Sequence, residues 1–435
     1  MDRKLKLLWI GDVCASTGFA RVTEALIPYF LERYELVILG CNYHGDPTPY
    51  PFKIYPATNK FQTAPFGEER LREVVLKENP DIIFTINDIW IVNDQYSRIR
   101  DLHKEGKFKF IAYTPVDGNN WFDLFETANQ FDQLISYTHF GAIEAKNAGY
   151  RNHDGKSLAP VVYHGVDTEQ FYPILQEEAR KNIGIPDDKF IVFNGNRNQP
   201  RKRIDITIKA FAEFAVGRED TLLYLHMGTK DMGWSVMPLF KKEMEKRGLN
   251  PGGRLILTSG DSPQLQSVPI EMLNMIYNVA DVGLNSCTGE GFGLVNMEHA
   301  ACGVPQLVPG HTACRELFEG YGDLIPIEHV ESDKDFGRDM YGVSVRGLTE
   351  LLIKYYDDPD YRAEKCKSCY RRATMPEFQW SNICQQFIGV IDEVINRQPE
   401  QAIADDGKGF TPVRSISLSK KAKKGKRKKE EVVFS

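Results

Sequence analysis

No stretch of this 435-residue chain stays apolar and uncharged long enough to cross a bilayer, so no membrane-spanning helix is expected. The N-terminus lacks the apolar core and small-residue cleavage site of a secretion signal, and Met-Asp-Arg-Lys-Leu-Lys runs straight into a short apolar segment. A disulfide framework is also missing. The cysteines sit mostly within apolar runs, as at Cys41, Cys302 and Cys384, which suits a reducing compartment. Cys366-Lys-Ser-Cys369 has no second pair at useful spacing, as a zinc site would need. Asp333-Lys-Asp335 lies in a charged loop rather than after an apolar strand, so no metal site is expected there either. The expectation is a cytoplasmic protein, soluble or peripherally membrane-associated.

The net charge of −6 conceals an asymmetry. From Arg414 to Ser435 the chain carries nine Lys or Arg against two Glu, leaving the remainder at −13. An acidic body is unsuited to general nucleic-acid binding. The basic segment is either a solvated extension or a contact for nucleic acid or an anionic membrane surface.

Short β-rich runs alternate with helix-like stretches, the pattern of parallel sheets covered by helices. In the first half the strand-like runs are 7–11, 36–40, 82–85, 108–113, 134–136 and 161–163, with helical stretches such as 20–32 and 67–77. The alternation restarts with runs at 190–194, 222–227, 255–258, 282–284 and 306–308. Between them, near 171–188, Tyr172-Pro173, a charged stretch and Gly184-Ile-Pro186 interrupt both periods. Further helices are expected at 343–356, 359–371 and 377–396. The organisation is α/β: a Rossmann-like half over 1–172, a second over 173–375, a C-terminal helix at 376–397 packing back on the first half, and a disordered basic tail at 398–435. Ligands of such open sheets bind beyond the carboxyl ends of the strands, so two facing halves share one cleft.

The segment richest in chemistry is Glu290-Gly-Phe-Gly-Leu-Val-Asn-Met-Glu298, which follows an apolar strand. Leu294, Met297 and Ala301 repeat at helical spacing, so a helix begins near Gly293. Glycines at 289, 291 and 293 let the backbone approach a ligand closely. Free amides at the helix start favour a phosphate or a polarised hydroxyl. Glu290 on the loop and Glu298 on the helix can each accept hydrogen bonds from sugar hydroxyls. Asn194-Gly195-Asn-Arg197-Asn-Gln-Pro-Arg-Lys202-Arg places cations at another strand-to-helix loop, against the helix dipole, which favours a bound anion such as a diphosphate.

These segments resemble the E-x7-E and G-R-x4-K elements of retaining glycosyltransferases with the GT-B fold, in particular glycosyltransferase family 4. His164-Gly-Val-Asp167-Thr-Glu-Gln-Phe171 is similar to the family's N-G-V-D-x-x-x-F segment, and Asn278-Val-Ala-Asp281 to its A-D-V element. The resemblance spans about residues 5–395 and is strongest over 160–310. It implies a GT-B fold of two Rossmann-like domains facing across a cleft, acceptor on the first and nucleotide-sugar on the second. It further implies an EC 2.4, hexosyltransferase-like enzyme with retention of anomeric configuration and no cofactor beyond a nucleoside-diphosphate sugar as donor substrate. Glu290, Arg197, Lys202 and Asp117 become the candidate catalytic residues. Gly18, Gly195, Gly291, Phe292, Gly293, Leu294 and Glu298 become the candidate donor-binding residues.

The first half departs from the family pattern. Only Gly18 stands where a Gly pair is common, either as part of the donor loop or as a tight turn. Many relatives carry a His near the reacting carbon; here Tyr113-Thr-Pro-Val-Asp117-Gly118 offers Asp117, either a cleft residue or a turn cap. His139 either faces the cleft or serves as a capping or core histidine. Base recognition falls to loops such as 258–261. The acceptor is open: glycan, lipid, protein or modified DNA base. Rival readings are a same-fold phosphorylase or epimerase, a non-catalytic nucleotide-sugar binder, and a DNA-modifying glycosyltransferase recruited through the tail.

Overall fold

The computed structural model describes residues 3–15, 17–229, 231–258 and 268–397. The basic tail and positions 259–261 of the expected base-recognition loop lie outside the described residues. The described residues up to Asn396 form one compact unit. Among the described residues no helix is long and apolar enough to cross a membrane.

The first half builds a six-stranded parallel sheet from β1 (Lys6–Asp12), β2 (Glu35–Cys41), β3 (Lys53–Pro56), β4 (Ile82–Ile86), β5 (Lys109–Thr114) and β6 (Gln133–Ser136), in the order β3-β2-β1-β4-β5-β6. Its crossovers include α1 (Gly18–Arg33), α2 (Glu68–Glu78), α3 (Ile89–Ser97) and α4 (Arg100–Lys104), and α5 (His139–Asn147) follows β6. The central strands are apolar throughout because helices cover both faces. On β1, Trp9 stacks on Phe84 at 4.7 Å and meets Phe30 of α1 edge-on at 5.4 Å. Thr17 caps α1, accepting from the Ala20 amide at 3.1 Å and donating to Asp12 at 2.5 Å.

The second half repeats the plan with β7 (Phe190–Asn194), β8 (Thr221–Leu225), β9 (Leu255–Leu257), β10 (Val282–Leu284), β11 (Gln306–Pro309) and β12 (Asp323–Ile325), in the order β12-β11-β10-β7-β8-β9, all parallel. Its helices are α6 (Gln176–Ile183), α7 (Ile204–Phe214), α8 (Val236–Glu245), α9 (Ile270–Asn278), α10 (Leu294–Ala301) and α11 (Thr312–Phe318). An antiparallel hairpin, β13 (Ile327–Ser332) with β14 (Asp339–Val343), precedes α12 (Val345–Asp357) and α13 (Pro359–Ala373). The last helix, α14 (Trp380–Asn396), covers the first sheet: Phe387 meets Phe84 and Tyr113 edge-on, and Asp392 pairs with Arg33 of α1.

Several elements differ from the sequence reading, the β13–β14 hairpin among them. The 161–163 run makes only an isolated bridge from Val161 to Ser136, because the chain then turns towards the 3-10 turn just ahead of α14, where the Val166 amide bonds to the Phe378 carbonyl. The charged 171–188 stretch contains α6, tied down by buried Arg180 on Asp281 and the Val279 carbonyl. Strand β3 lies among prolines, and its own Pro56 is tolerated because β3 is an edge strand.

Candidate functional site

The carboxyl ends of both sheets meet at a cluster of charged side chains. After β7, residues 200–202 form a single 3-10 turn that carries Arg201 and Lys202 towards β10. Lys202 donates to Glu290, and Arg201 donates to the Gly289 carbonyl and lies 3.8 Å from Glu290. Arg201 also lies 3.6 Å from Asp117 of the first half, whose other oxygen accepts from Arg338 at 2.6 Å. Burial pushes the Glu290 carboxyl up, but Lys202 and Arg201 outweigh it and hold it at about 2. Burial likewise disfavours the Arg201 charge, and Glu290 and Asp117 more than restore it.

The glycines at 289 and 291 also meet a demand that the sequence reading did not foresee. Read from sequence, those at 289 and 291 admit a ligand. In the structure they admit the opposite half of the protein: a Cβ on Gly289 would sit 1.9 Å from the Asp117 carbonyl oxygen, and one on Gly291 would sit 2.7 Å from the Pro115 side chain. Gly293 instead takes the left-handed conformation (φ 94°) as N-cap of α10, with no side chain capping the helix. Its dipole end and first amides are thus left for an anion.

A second group gathers around α10. Arg21 of α1 pairs with Glu298 at 2.5 Å, and Glu298 also accepts from the buried Tyr277 hydroxyl at 3.0 Å. Gly18 faces Leu294, whose side chain is 3.7 Å from where a Gly18 Cβ would be. Arg21, Leu294, Glu298, Tyr29, Phe171 and Trp380 line a cavity of about 350 Å³.

The structure thus brings Glu290, Lys202 and Asp117 into one charge network, and Leu294 and Glu298 around one cavity, with Gly18 against Leu294. Arg197 stands apart, bound to the buried carboxylate of Asp231 at 3.1 Å. Gly195 packs on Phe193 and Val295. Phe292 is buried against His164 at 4.7 Å. His139 is an exposed first residue of α5, which Thr138 and Glu316 cap, so its ring is neither a cap nor core. His164 is held neutral by burial, its pKa down at about 3, and is bonded to Tyr113.

Asp88, Arg201 and Arg338 are residues the sequence reading passed over or left without a role. Asp88 follows β4 and occupies the N-cap position of α3 without making a capping bond. Partly accessible at the cleft floor yet walled by protein, it is pushed up to about 7 by burial and by Asp117, against Arg201 and Arg338. Its place directly after an apolar strand was the signal that could have found it. Arg338 arrives on the hairpin from a polar segment with no such signal.

Two parallel six-stranded sheets meeting at a cleft through their carboxyl ends make the fold that of the GT-B glycosyltransferases. Residues 176–323 match the family model for glycosyl transferases group 1, so the resemblance carried by the motifs holds for the second half. The D-inositol 3-phosphate glycosyltransferase of Mycolicibacterium smegmatis is 28% identical over 180 residues, 41% of this chain and 38% of the relative. That of Acidothermus cellulolyticus is 27% identical over 241 residues, 54% of this chain and 48% of the relative. The chain therefore spans less than half the length of these relatives. Among solved structures, sucrose-phosphate synthase from Thermosynechococcus elongatus aligns with a TM-score of 0.66 at 18% identity, covering 90% of this chain and 99% of that one. HepE of Anabaena, solved in complex with UDP and glucose, aligns with a TM-score of 0.63 at 16% identity, covering 89% and 99%.

Proposed function

We propose that the chain is a retaining, metal-independent glycosyltransferase that moves a sugar from a nucleoside-diphosphate sugar to an acceptor hydroxyl. The observation that carries this reading is the Lys202–Glu290 pair, with Arg201 beside it, at the uncapped start of α10. Cations and free helix amides converge where a departing diphosphate would gain charge, and fixed donors of this kind usually contribute more to the rate than any other single effect. Glu290, kept ionised by Lys202 and Arg201, accepts from the donor sugar hydroxyls. Glu298, oriented by Arg21 and Tyr277, accepts from the ribose. In the step itself the bond from the anomeric carbon to the phosphate oxygen breaks. A bond to the acceptor oxygen forms on the same face, and the acceptor proton passes to the leaving phosphate.

On the acceptor side the roles shift from the sequence reading. Both Asp117 oxygens face arginines, Arg338 and Arg201, which suits Asp117 to bracing the two halves. Asp88 is the carboxylate near them without such a bond among the described residues, and we assign it the positioning of the acceptor hydroxyl. That HepE is described with UDP and glucose, and that the curated relatives are named glycosyltransferases, supports a nucleotide-sugar donor.

The deciding experiment is a thermal-shift screen with nucleotide sugars, followed by donor turnover in wild type and Glu290→Ala. A ligand that binds only the folded state raises Tm by mass action. Turnover in wild type that collapses in the variant is expected. If no nucleotide sugar is turned over by wild type, with or without acceptors, the transferase reading is lost.

A further inference from the structure

A second cavity, of about 370 Å³, opens where the β13–β14 hairpin reaches the first half. Its volume falls in the range of small-molecule clefts, about 300–1,000 Å³. Asn120, Trp121, Phe122 and Asn147 line it from the first half, and Ser332 and Asp339 from the hairpin. The two sides are joined by backbone: the Asn119 amide donates to the Asp339 carbonyl at 3.2 Å, and the Asp339 amide donates back at 2.8 Å. Arg338, next in the chain to Asp339, is the residue that grips Asp117. The cavity is therefore fixed beside the charged cleft.

Phe122 makes this cavity unusual. Its backbone lies in the left-handed region at φ 49° although it is not glycine, and its side chain is 66% exposed. A bulky residue is strained in that conformation, and an exposed ring regains little of the cost by burial. Asn120, two residues earlier, is also left-handed at φ 57°. The polar groups around the ring are held in place. Asn120 donates its side-chain amide to Asp339 at 2.6 Å, Asn147 donates to buried Glu144 at 3.0 Å, and Glu144 also faces the Asn120 backbone amide at 3.4 Å. The amide oxygens of both asparagines, the second Asp339 oxygen and the Ser332 hydroxyl remain for a ligand.

The lining chemistry selects the class of ligand. Asp339 is the charged lining residue, and it is negative, so a phosphate, a sulfate or a nucleic-acid backbone is disfavoured. An exposed aromatic face beside fixed amides and a carboxylate suits a neutral ring with C–H groups on one face and hydroxyls at its edge. We propose that this cavity binds a carbohydrate unit, a remote residue of an oligosaccharide acceptor whose reacting end lies in the charged cleft. This deepens the glycosyltransferase reading and rests on it for the word acceptor. The binding site itself does not.

The test uses the full chain and three neutral probes, maltotetraose, cellotetraose and chitotetraose, titrated by calorimetry to about 10 mM. At least one should bind, and Phe122→Ala and Asn120→Ala should each weaken it by about fivefold or more. Phe122→Gly should raise Tm by relieving the strained backbone while weakening the same binding, a combination that a merely structural Phe122 would not give. No binding of any probe, or binding undiminished in Phe122→Ala, overturns the proposal. Donor binding is followed separately by the Tm shift with UDP-glucose, UDP-N-acetylglucosamine and GDP-mannose. Tetrasaccharide binding that depends on Phe122 upholds the carbohydrate site whatever the donors do. Its absence overturns the site even when a donor binds.

Discussion

Arg21 on α1 and Glu298 on α10 meet at 2.5 Å, one from each half, with the Glu298 side chain 4% exposed and that of Arg21 39% exposed. Glu298, the largest influence, raises the Arg21 pKa against the opposing effect of burial, so the guanidinium stays charged at all ordinary pH. Replacing Arg21 by Ala leaves a buried carboxylate with Tyr277 as its remaining side-chain partner among the described residues. That should cost about 1–3 kcal/mol, read as a lower urea midpoint at unchanged slope. It should also weaken donor binding, because the carboxylate assigned to the ribose loses its orientation. A variant with wild-type stability and wild-type donor affinity would show that the pair matters to neither.

Glu290→Gln keeps the shape of the loop but removes the charge that Lys202 and Arg201 hold. Donor turnover should fall about 100-fold, with Tm lowered as Lys202 loses its carboxylate and Arg201 one of two. The sign of the acid dependence follows from the depressed value. The folded carboxyl sits at about 2 and an unfolded one near 4.3, so its contribution is present above pH 4.3 and is lost as pH falls towards 2. Acid unfolding of the variant should lack that segment of the wild-type curve.

Asp88 gives the opposite dependence. Its folded value of about 7 lies above the ordinary aspartate value near 3.9. The stability it contributes is complete below pH 3.9 and is lost as pH rises through 7. Asp88→Asn should match wild type near pH 4 and exceed it in Tm at pH 8. If the ionised form positions the acceptor, kcat/KM for the acceptor should rise through pH 7 in wild type and not in the variant. Identical pH profiles for the two proteins would remove Asp88 from the site.

Two glycine substitutions separate close approach from conformational freedom. Gly289→Ala drives a Cβ into the Asp117 carbonyl at 1.9 Å, backbone against backbone, and should cost more than about 2 kcal/mol and open the cleft. Gly389→Ala, inside α14 with nothing within 4 Å, should stabilise by about 0.5–1 kcal/mol. Denaturant titration of the pair checks both signs.

Legibility from the sequence was uneven for physical reasons. The buried parallel strands could be read because both faces are covered, so β1 and β4 are continuous apolar runs. The α10 start could be read from Gly293, where the backbone conformation demands glycine. The 289 and 291 glycines carry the same letters, and a sequence cannot say whether a close approach is to a ligand or to the other half. The hairpin was invisible: all of β13 is exposed, so its residues carry no alternation of burial to read. With it Arg338 and the Asp117 partnership were also hidden. From sequence Asp117 could be a cleft residue or a turn cap; its neighbours decide what it does, and they come from elements more than 80 residues away.

The position of α14 has a consequence for how the molecule is made. Phe387 fills a gap between Phe84 and Tyr113, in the sheet that the chain completes first. Domains ordinarily fold in the order they are synthesised. Here the earlier half waits with part of one sheet face, around Phe84 and Tyr113, uncovered until the later half has emerged and α14 has returned. A cut in the chain near residue 172 would not release two finished pieces. It would leave the first with an apolar patch beside α1 that the far end of the polypeptide covers.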